Sequence, residues 1–242
     1  MIDVAFTRAE LRSVDVAVVI DVLRATSTIT QALASGYRSV VCVGSVQAAA
    51  ALRAPGRVLA GEQRCIMPSG FDQGNSPRDA MSLRGDELVL ATTNGAPTIV
   101  AAAPRAGQVL LASLLNLDAV LKVLAESAEL ELQIVCAGTD GAPALEDTYL
   151  AGRICAALPG ERTDAALIAE AVAGHYGTPL QALAASADAR VLSAAGLAAD
   201  IADCARESRL ELVPRVLSAS AGLATVGIQG AVEADLLATA VP

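Results

Sequence analysis

The amino-acid sequence predicts an α/β protein: a three-layer α/β/α fold with a mainly parallel, mixed sheet and a helical C-terminal lobe. The first observation behind this prediction is that short β-branched runs alternate with runs rich in alanine and leucine. Strands that alternate with crossover helices form a largely parallel sheet covered on both faces. The second is that hydrophobic residues make up 54% of the chain but aromatic residues only 2%. The core must therefore be built from small aliphatic side chains, which favours helices packed on a sheet.

The predicted elements follow one another in a regular order. Each predicted strand is a nearly continuous apolar run, which is typical of a strand buried on both faces. The predicted strands cover residues 16–20, 39–43, 57–60, 87–91, 108–112 and 132–137. The predicted helices between and after them cover residues 26–35, 45–53, 95–103, 116–126 and 145–157.

A helical lobe is predicted from about residue 143 to 210, where alanine-rich helical periodicity replaces the strand pattern. Breaks in that periodicity fall at residues 159–160 and 177–179, which contain glycine and proline. The chain after Pro214 has short valine and leucine runs that predict either an added strand or a surface segment. We expect residues 1–242 to form a single domain that includes this lobe.

Composition excludes several classes of protein. The chain has 17 Lys and Arg residues against 26 Asp and Glu, a net charge of -9, which argues against binding nucleic acid through a broad basic surface. Mean hydropathy is +0.51, yet no uninterrupted apolar run is long enough to span a membrane. The first residues lack the features of a signal peptide, so we expect a cytoplasmic protein. Five scattered cysteines without a CxxC pair predict neither a zinc site nor a disulfide framework.

Polar residues follow the first predicted strand, at the end of a parallel sheet where ligands bind. Asp21 ends the run VVID, and Arg24 precedes three hydroxyl residues at positions 26–28. A guanidinium, hydroxyls and free N–H groups at a helix start suit an oxyanion such as phosphate or sulfonate. The alternative is structural, with Asp21 capping the helix and Arg24 pairing with it.

The third predicted strand is followed by Glu62, and a turn with Asn75 and Ser76 comes about ten residues later. Pro77 directly after this turn suits the first position of a helix, where N–H groups are left free. The fourth predicted strand leads into Thr-Thr-Asn at positions 92–94 and then Gly95. Each of these could hold an anion or be an ordinary helix cap.

The last predicted strand leads to Glu146 and Asp147, in the first turn of the next helix. Carboxylates there interact well with the helix dipole, but one of them could also bind Mg²⁺, which prefers oxygen ligands. Carboxylates and helix starts at several strand ends together predict Mg²⁺-assisted phosphoryl chemistry. The single histidine, His175, lies at a predicted helix end, so a histidine-based triad is not expected.

Five sequence blocks, in this order and spacing, carry a resemblance to a known family. They are IDVLRATSTI (20–29), GFDQGNSP (70–77), TTNGAPTI (92–99), CAGTDGAPALEDTYLAG (136–152) and GLAADIADCARESRLELVP (196–214). The chain resembles the 2-phosphosulfolactate phosphatases of coenzyme M biosynthesis from about residue 2 to 214. The resemblance implies a three-layer α/β/α enzyme that hydrolyses 2-phosphosulfolactate to 3-sulfolactate and phosphate with Mg²⁺.

The resemblance and the strand-end argument together assign roles to individual residues. The substrate is a small molecule with a phosphate, a sulfonate and a carboxylate, so several anion-binding groups are expected. Asp21 and Arg24 are the predicted catalytic residues. The predicted metal ligands are Asp21, Glu62 and Asp147. The predicted substrate-binding residues are Asn75, Ser76, Thr92, Thr93, Asn94 and Thr148. The sequence does not set the oligomeric state, and a homodimer is compatible with it.

One segment departs from the family pattern. Directly after Glu62 we expect a basic residue in a glycine-rich stretch, whereas residues 63–68 read QRCIMP. The exact substrate therefore stays open, and a related phosphorylated hydroxy acid is the alternative.

Two mechanisms fit the predicted site. In one, Asp21 attacks phosphorus and forms an aspartyl phosphate. In the other, which we favour because other acids are predicted nearby, Asp21 binds the metal and water attacks directly. Two other classes compete with a phosphatase. A nucleotide-dependent dehydrogenase would carry a GxGxxG motif after its first strand, and this chain has none there. A non-catalytic anion-binding protein would not need the acids.

Overall fold

The computed structural model describes residues 1–82, 85–126, 130–220 and 222–229. Its strands are β1 (Ile2–Ala5), β2 (Val14–Ile20), β3 (Ser39–Val43), β4 (Arg57–Gly61), β5 (Glu87–Ala91), β6 (Ala106–Ala112), β7 (Leu132–Cys136), β8 (Arg215–Ser220) and β9 (Leu223–Gly227). Its helices are α1 (Ala25–Ala34), α2 (Val46–Ala51), α3 (Pro77–Ser82), α4 (Gly95–Ala102), α5 (Leu117–Ala125), α6 (Leu145–Ala157), α7 (Asp164–His175), α8 (Pro179–Ala185), α9 (Ala187–Ala194) and α10 (Ala198–Cys204).

The described strands form one sheet in the order β1-β7-β2-β6-β8-β9-β3-β5-β4. The first four strands of this order are parallel to one another, as are β3, β5 and β4. The hairpin of β8 and β9 lies between these two groups and pairs antiparallel with β6 and β3. The predicted α/β class with a mainly parallel, mixed sheet is confirmed. After Pro214, where either an added strand or a surface segment was predicted, the described chain forms the strands β8 and β9.

Strand register brings the loops of the site together. Ile20, the last residue of β2, pairs with Cys136 at the end of β7. Gly61 at the end of β4 pairs with Ala91 at the end of β5. The chain segments after β2 and β7 therefore leave the sheet side by side, and so do those after β4 and β5.

Helices cover both faces of the sheet. Successive side chains of a strand point to opposite faces, and here both sets are apolar and must be buried. In β2, Val16, Val18 and Ile20 belong to one buried cluster, whereas Ala17 and Val19 belong to another. Both clusters consist mainly of Ala, Val, Leu and Ile, as the composition predicts. This packing confirms the prediction of strands buried on both faces.

The helical lobe consists of α6 to α10 and contains no strand among its described residues. Its first two helices pack so closely that a Cβ atom at Gly152 of α6 would collide with the Ala169 carbonyl of α7. Helix α3 begins at Pro77, as predicted from the turn before it. Strand β1 was not predicted from the sequence. Across the described ranges we find no helix with the length and apolarity that crossing a membrane requires.

Candidate active site

Loops after β2, β4, β5 and β7 surround a cavity of about 310 Å³ together with helix α9 of the lobe. A larger cavity of about 520 Å³ lies elsewhere, beside α3 and the end of α10, and is lined by Arg78, Asp203 and Arg206. We place the candidate site in the smaller cavity because polar strand-end residues converge there. The polar residues that line it are Asp21, Arg24, Glu62, Arg64, Asn75, Thr93, Asn94, Thr139, Asp140 and Asp188.

Asp21 lies at the wall of this cavity and is only 8% exposed. One carboxylate oxygen accepts a hydrogen bond from the backbone N–H of Ala25, the first residue of α1 (3.0 Å). Helix α4 approaches so closely that a Cβ atom at Gly95 would collide with the other oxygen. The pKa of Asp21 is raised to about 7, mainly by burial and also by the carboxylates of Glu62 and Asp188, while the Ala25 N–H and Arg24 oppose the shift.

Glu62 joins the loop after β4 to the loop after β5. One of its oxygens accepts hydrogen bonds from both the N–H and the hydroxyl of Thr93 (2.8 and 2.9 Å). The other oxygen accepts from the N–H of Cys65 (2.9 Å). Arg64 and Cys65 have positive φ angles of 51° and 63°, in the left-handed region that non-glycine residues seldom adopt. The carboxylate of Glu62 therefore fixes this unusual turn at the edge of the cavity.

Asp147 is buried and ties the loop after β2 to the loop after β7. One oxygen accepts from the N–H of Val22 (2.8 Å), and the other accepts from the N–H of Gly138 (3.2 Å). Burial raises its pKa well above the usual range, and Glu146 and Asp21 add to the rise. Both carboxylate oxygens of Asp147 therefore already accept hydrogen bonds from backbone N–H groups. Asp147 is also not among the residues that line the cavity.

Two further acids lie near Asp21: Asp188, which was not predicted, lines the cavity, and Glu146, which was considered only as an alternative to Asp147, lies behind it. Glu146 is 2% exposed, and its Oε2 has no hydrogen-bond partner in the described structure. The pKa of Glu146 is raised to about 8, mainly by burial and also by the charge of Asp188, a hydrogen bond with the Asp188 carboxyl, and the charge of Asp21. Asp188, in the first turn of α9, accepts a hydrogen bond from the Thr139 hydroxyl (2.6 Å). In sequence, both resemble acids that simply stabilise a helix start.

Arg24 lines the cavity and is almost fully buried. Its Nη1 forms an ion pair with Asp200 of α10 at 2.6 Å. The hydroxyl of Ser76 donates to the other oxygen of Asp200 (2.8 Å). Arg24 and Ser76, which the sequence places 52 residues apart, therefore meet at one carboxylate. Asp200 lies inside the last of the five family-like blocks, but nothing in its spacing pointed to this role.

Three of the six predicted substrate-binding residues line the cavity, and Ser76, Thr92 and Thr148 do not; Ser76 instead binds Asp200. Asn75, Thr93 and Asn94 line the cavity, and the Oδ1 of Asn75 is buried without a partner. Thr92 and Thr148 lie outside its lining, with their side chains bonded to their own helix starts. The Thr92 hydroxyl accepts from the N–H of Ala96, and the Thr148 hydroxyl donates to the Ala144 carbonyl. The structure thus brings half of the six predicted substrate-binding residues to the cavity: Asn75, Thr93 and Asn94.

The hydroxyls at the start of α1 differ from what we expected. Thr26 and Ser27 are fully buried and donate to the backbone carbonyls of Asp21 and Val22 (both 2.8 Å). They shape the loop that carries Asp21 and Arg24 instead of facing a ligand. Neither hydroxyl lines the cavity, so their role as oxyanion donors stays a prediction without support from this geometry.

Comparison with known proteins decides the family. A family model described as 2-phosphosulpholactate phosphatase matches residues 5–218. The chain belongs to this family. A relative from Thermus thermophilus is 41% identical over 83% of this chain and 87% of its own. A relative from Deinococcus radiodurans is 38% identical over 84% of this chain and 88% of its own. A relative from Thermotoga maritima is 36% identical over 90% of this chain and 96% of its own. All three are named probable 2-phosphosulfolactate phosphatases.

Membership of the 2-phosphosulfolactate phosphatase family raises the question whether the site residues suit Mg²⁺. The charge of Asp188 adds to the raised pKa values of Asp21 and Glu146, and Glu146 Oε2 lacks a partner. A hard cation would satisfy that oxygen and neutralise the buried carboxylates. In the described ranges no three such side chains already stand at metal-binding geometry. The donor chemistry of these oxygen ligands fits Mg²⁺.

Proposed function

We propose that this chain is a Mg²⁺-dependent phosphatase that hydrolyses 2-phosphosulfolactate to 3-sulfolactate and inorganic phosphate. One observation carries the proposal. In a member of this family, the acids Asp21 and Glu62 share a 310 Å³ cavity with the guanidinium of Arg24. Carboxylates suited to a metal beside a buried cation are what the transfer of an anionic phosphoryl group requires.

The cavity also matches a substrate with three anionic groups. Arg24 is buried and paired with Asp200, whereas Arg64 is exposed. We propose that Arg24 contacts the phosphoryl group, because a fixed donor stabilises developing charge without having to reorganise. Arg64 and the amides of Asn75 and Asn94 then contact the sulfonate and carboxylate.

We propose that Asp21 is a metal ligand and that water attacks phosphorus directly. Bound Mg²⁺ would supply charge neutralisation at the transferring phosphoryl group. Asp147 orients the two loops beside Asp21 through the N–H groups of Val22 and Gly138. Asp21 keeps one oxygen on the Ala25 N–H, which fixes the direction of its other oxygen. Phosphate trapped covalently on the wild-type protein but not on Asp21→Asn would overturn this role.

The decisive experiment is a phosphate-release screen over phosphorylated hydroxy acids, with Mg²⁺ and with EDTA. We expect release from 2-phosphosulfolactate with Mg²⁺, and its loss with EDTA, with Asp21→Ala and with Asp147→Ala. Glu161→Gln, which changes an exposed carboxylate distant in sequence from the site loops, is the control and should stay active. Activity that persists in EDTA would contradict the metal mechanism.

The same screen tests the second candidate, a phosphatase for a related phosphorylated hydroxy acid. The observation that favours it is the turn at Arg64 and Cys65, which lines the cavity in a segment that departs from the family pattern. Preference for a substrate without the sulfonate would support this candidate. From composition we further propose a cytoplasmic enzyme that does not bind nucleic acid, while the homodimer stays a prediction for light scattering.

A further inference from the structure

A buried network connects the helical lobe to the cavity. Arg24 and Asp200 are 176 residues apart in sequence, yet their side chains pair at 2.6 Å and each is only 3% exposed. Asp200 also accepts the Ser76 hydroxyl at 2.8 Å. One carboxylate of α10 thus holds both the arginine after β2 and the turn before α3.

Electrostatic stability alone is a poor explanation for this network. Removing two charges from water carries a large penalty, and apolar residues of similar volume often stabilise a core as well or better. The arrangement does have one clear geometric effect. It fixes the guanidinium of Arg24, which lines the cavity, while Asp200 itself is not among the lining residues.

We propose that Asp200 is a positioning residue: it fixes the Arg24 guanidinium at the cavity and fixes the turn that presents Asn75. This inference rests on the proposed function, because it assumes that Arg24 contacts the phosphoryl group. Asp200 acts through Arg24 and Ser76 and does not touch the substrate. The lobe is then part of the catalytic apparatus, since it supplies the counter-charge that makes Arg24 rigid.

The chain offers a matched control on the same helix. Asp203 lies three residues after Asp200 in α10, but its side chain is 33% exposed and faces Arg78 and Arg206 at 3.5 and 3.8 Å. Asp203→Asn therefore makes the same chemical change in the same helix without touching the buried network. A general weakening of α10 would affect both variants, whereas positioning of Arg24 would affect only Asp200→Asn.

The test compares Asp200→Asn with Asp203→Asn by phosphate release and by NMR of the arginine side chains, with the Arg24 signal assigned through Arg24→Lys. We expect Asp200→Asn to lower kcat about 100-fold or more, as loss of a preorganised donor does, with a smaller change in KM. The Arg24 side-chain signal should broaden or move. Asp203→Asn should keep kcat within about twofold and leave the Arg24 signal unchanged, as expected for an exposed pair.

Asp200→Asn leaves a buried guanidinium without its charged partner, which can prevent folding, so Asp200→Glu is the second variant. It keeps the charge but displaces the carboxylate by one methylene, so we expect a folded protein with kcat lowered about 10-fold. A folded Asp200 variant with wild-type kcat, or with an unchanged Arg24 signal, would overturn the proposal. If the wild type releases no phosphate at all, the proposed function fails, while the NMR comparison still decides whether Asp200 positions Arg24.

Discussion

The Glu146→Gln variant should remove one part of the pH dependence of stability that the metal-free protein shows between about pH 5.5 and 8. In the folded protein, burial and the nearby carboxylates raise the pKa of Glu146 from 4.5 to about 8. The unfolded chain has already lost this proton at pH 5.5, so the folded state binds more protons across this window. Stability must then fall as pH rises.

The size of the effect follows from the same shift. Each pH unit within the window costs about 1.4 kcal/mol of the free energy of unfolding, so the Glu146 contribution amounts to roughly 3 kcal/mol. Glutamine has nearly the same shape but cannot ionise, and we expect its curve against pH to be flatter by that amount. Asp21 and Asp147 add their own slopes, which remain in the variant, because burial raises their pKa values too.

The assay is urea unfolding followed by circular dichroism, in EDTA, at several pH values across the window. Glu161→Gln is the control, because that side chain is exposed, and its curve should parallel the wild type. Added Mg²⁺ should stabilise the wild type most at high pH, where the carboxylates are ionised and ready to bind it. If Glu146→Gln and the wild type lose stability in parallel, Glu146 is ionised in the folded state and the reasoning is refuted.

Three further predictions test neighbouring parts of the site. Gly95→Ala should lower kcat/KM at least about 10-fold, because the new Cβ would collide with a carboxylate oxygen of Asp21; phosphate-release kinetics measure it. Asp147→Ala should lower the free energy of unfolding near pH 7 by about 1–3 kcal/mol, since it leaves the N–H of Val22 and a second buried N–H unpaired; urea titration measures it. Cys65 should react slowly with iodoacetamide at pH 7, because burial raises the pKa of its thiol; intact mass follows it.

Sequence periodicity was sufficient for most of the sheet but not for its strand order. The predicted strand 39–43 and helix 145–157 coincide with β3 and α6, because continuous apolar runs and helix starts are local signals. Strand β1 has only four residues, too few for a pattern to stand out. The insertion of β8 and β9 between β6 and β3 depends on pairing across distant parts of the chain, which no local pattern encodes.

Strand ends were a useful guide to the site, but they revealed only half of its charges. Asp21, Arg24 and Glu62 were found because each follows an apolar run. Asp188 and Asp200 could not be found in this way, because they lie in the first turns of lobe helices. An acid there is expected in any helix, so only the folded structure separates the two from ordinary surface residues.

These two lobe acids have different consequences for the charge of the site. Asp188 lies near Asp21 and Glu146 and makes their ionisation harder, which increases the need for a cation. Asp200 neutralises Arg24 and holds it in place, which leaves Arg24 available as a rigid donor but with less net positive charge. A phosphoryl group would then meet a fixed guanidinium whose charge is partly balanced. In the mechanism we propose, Mg²⁺ would supply most of the positive charge for the transition state, and EDTA is therefore expected to abolish activity even though Arg24 remains in place.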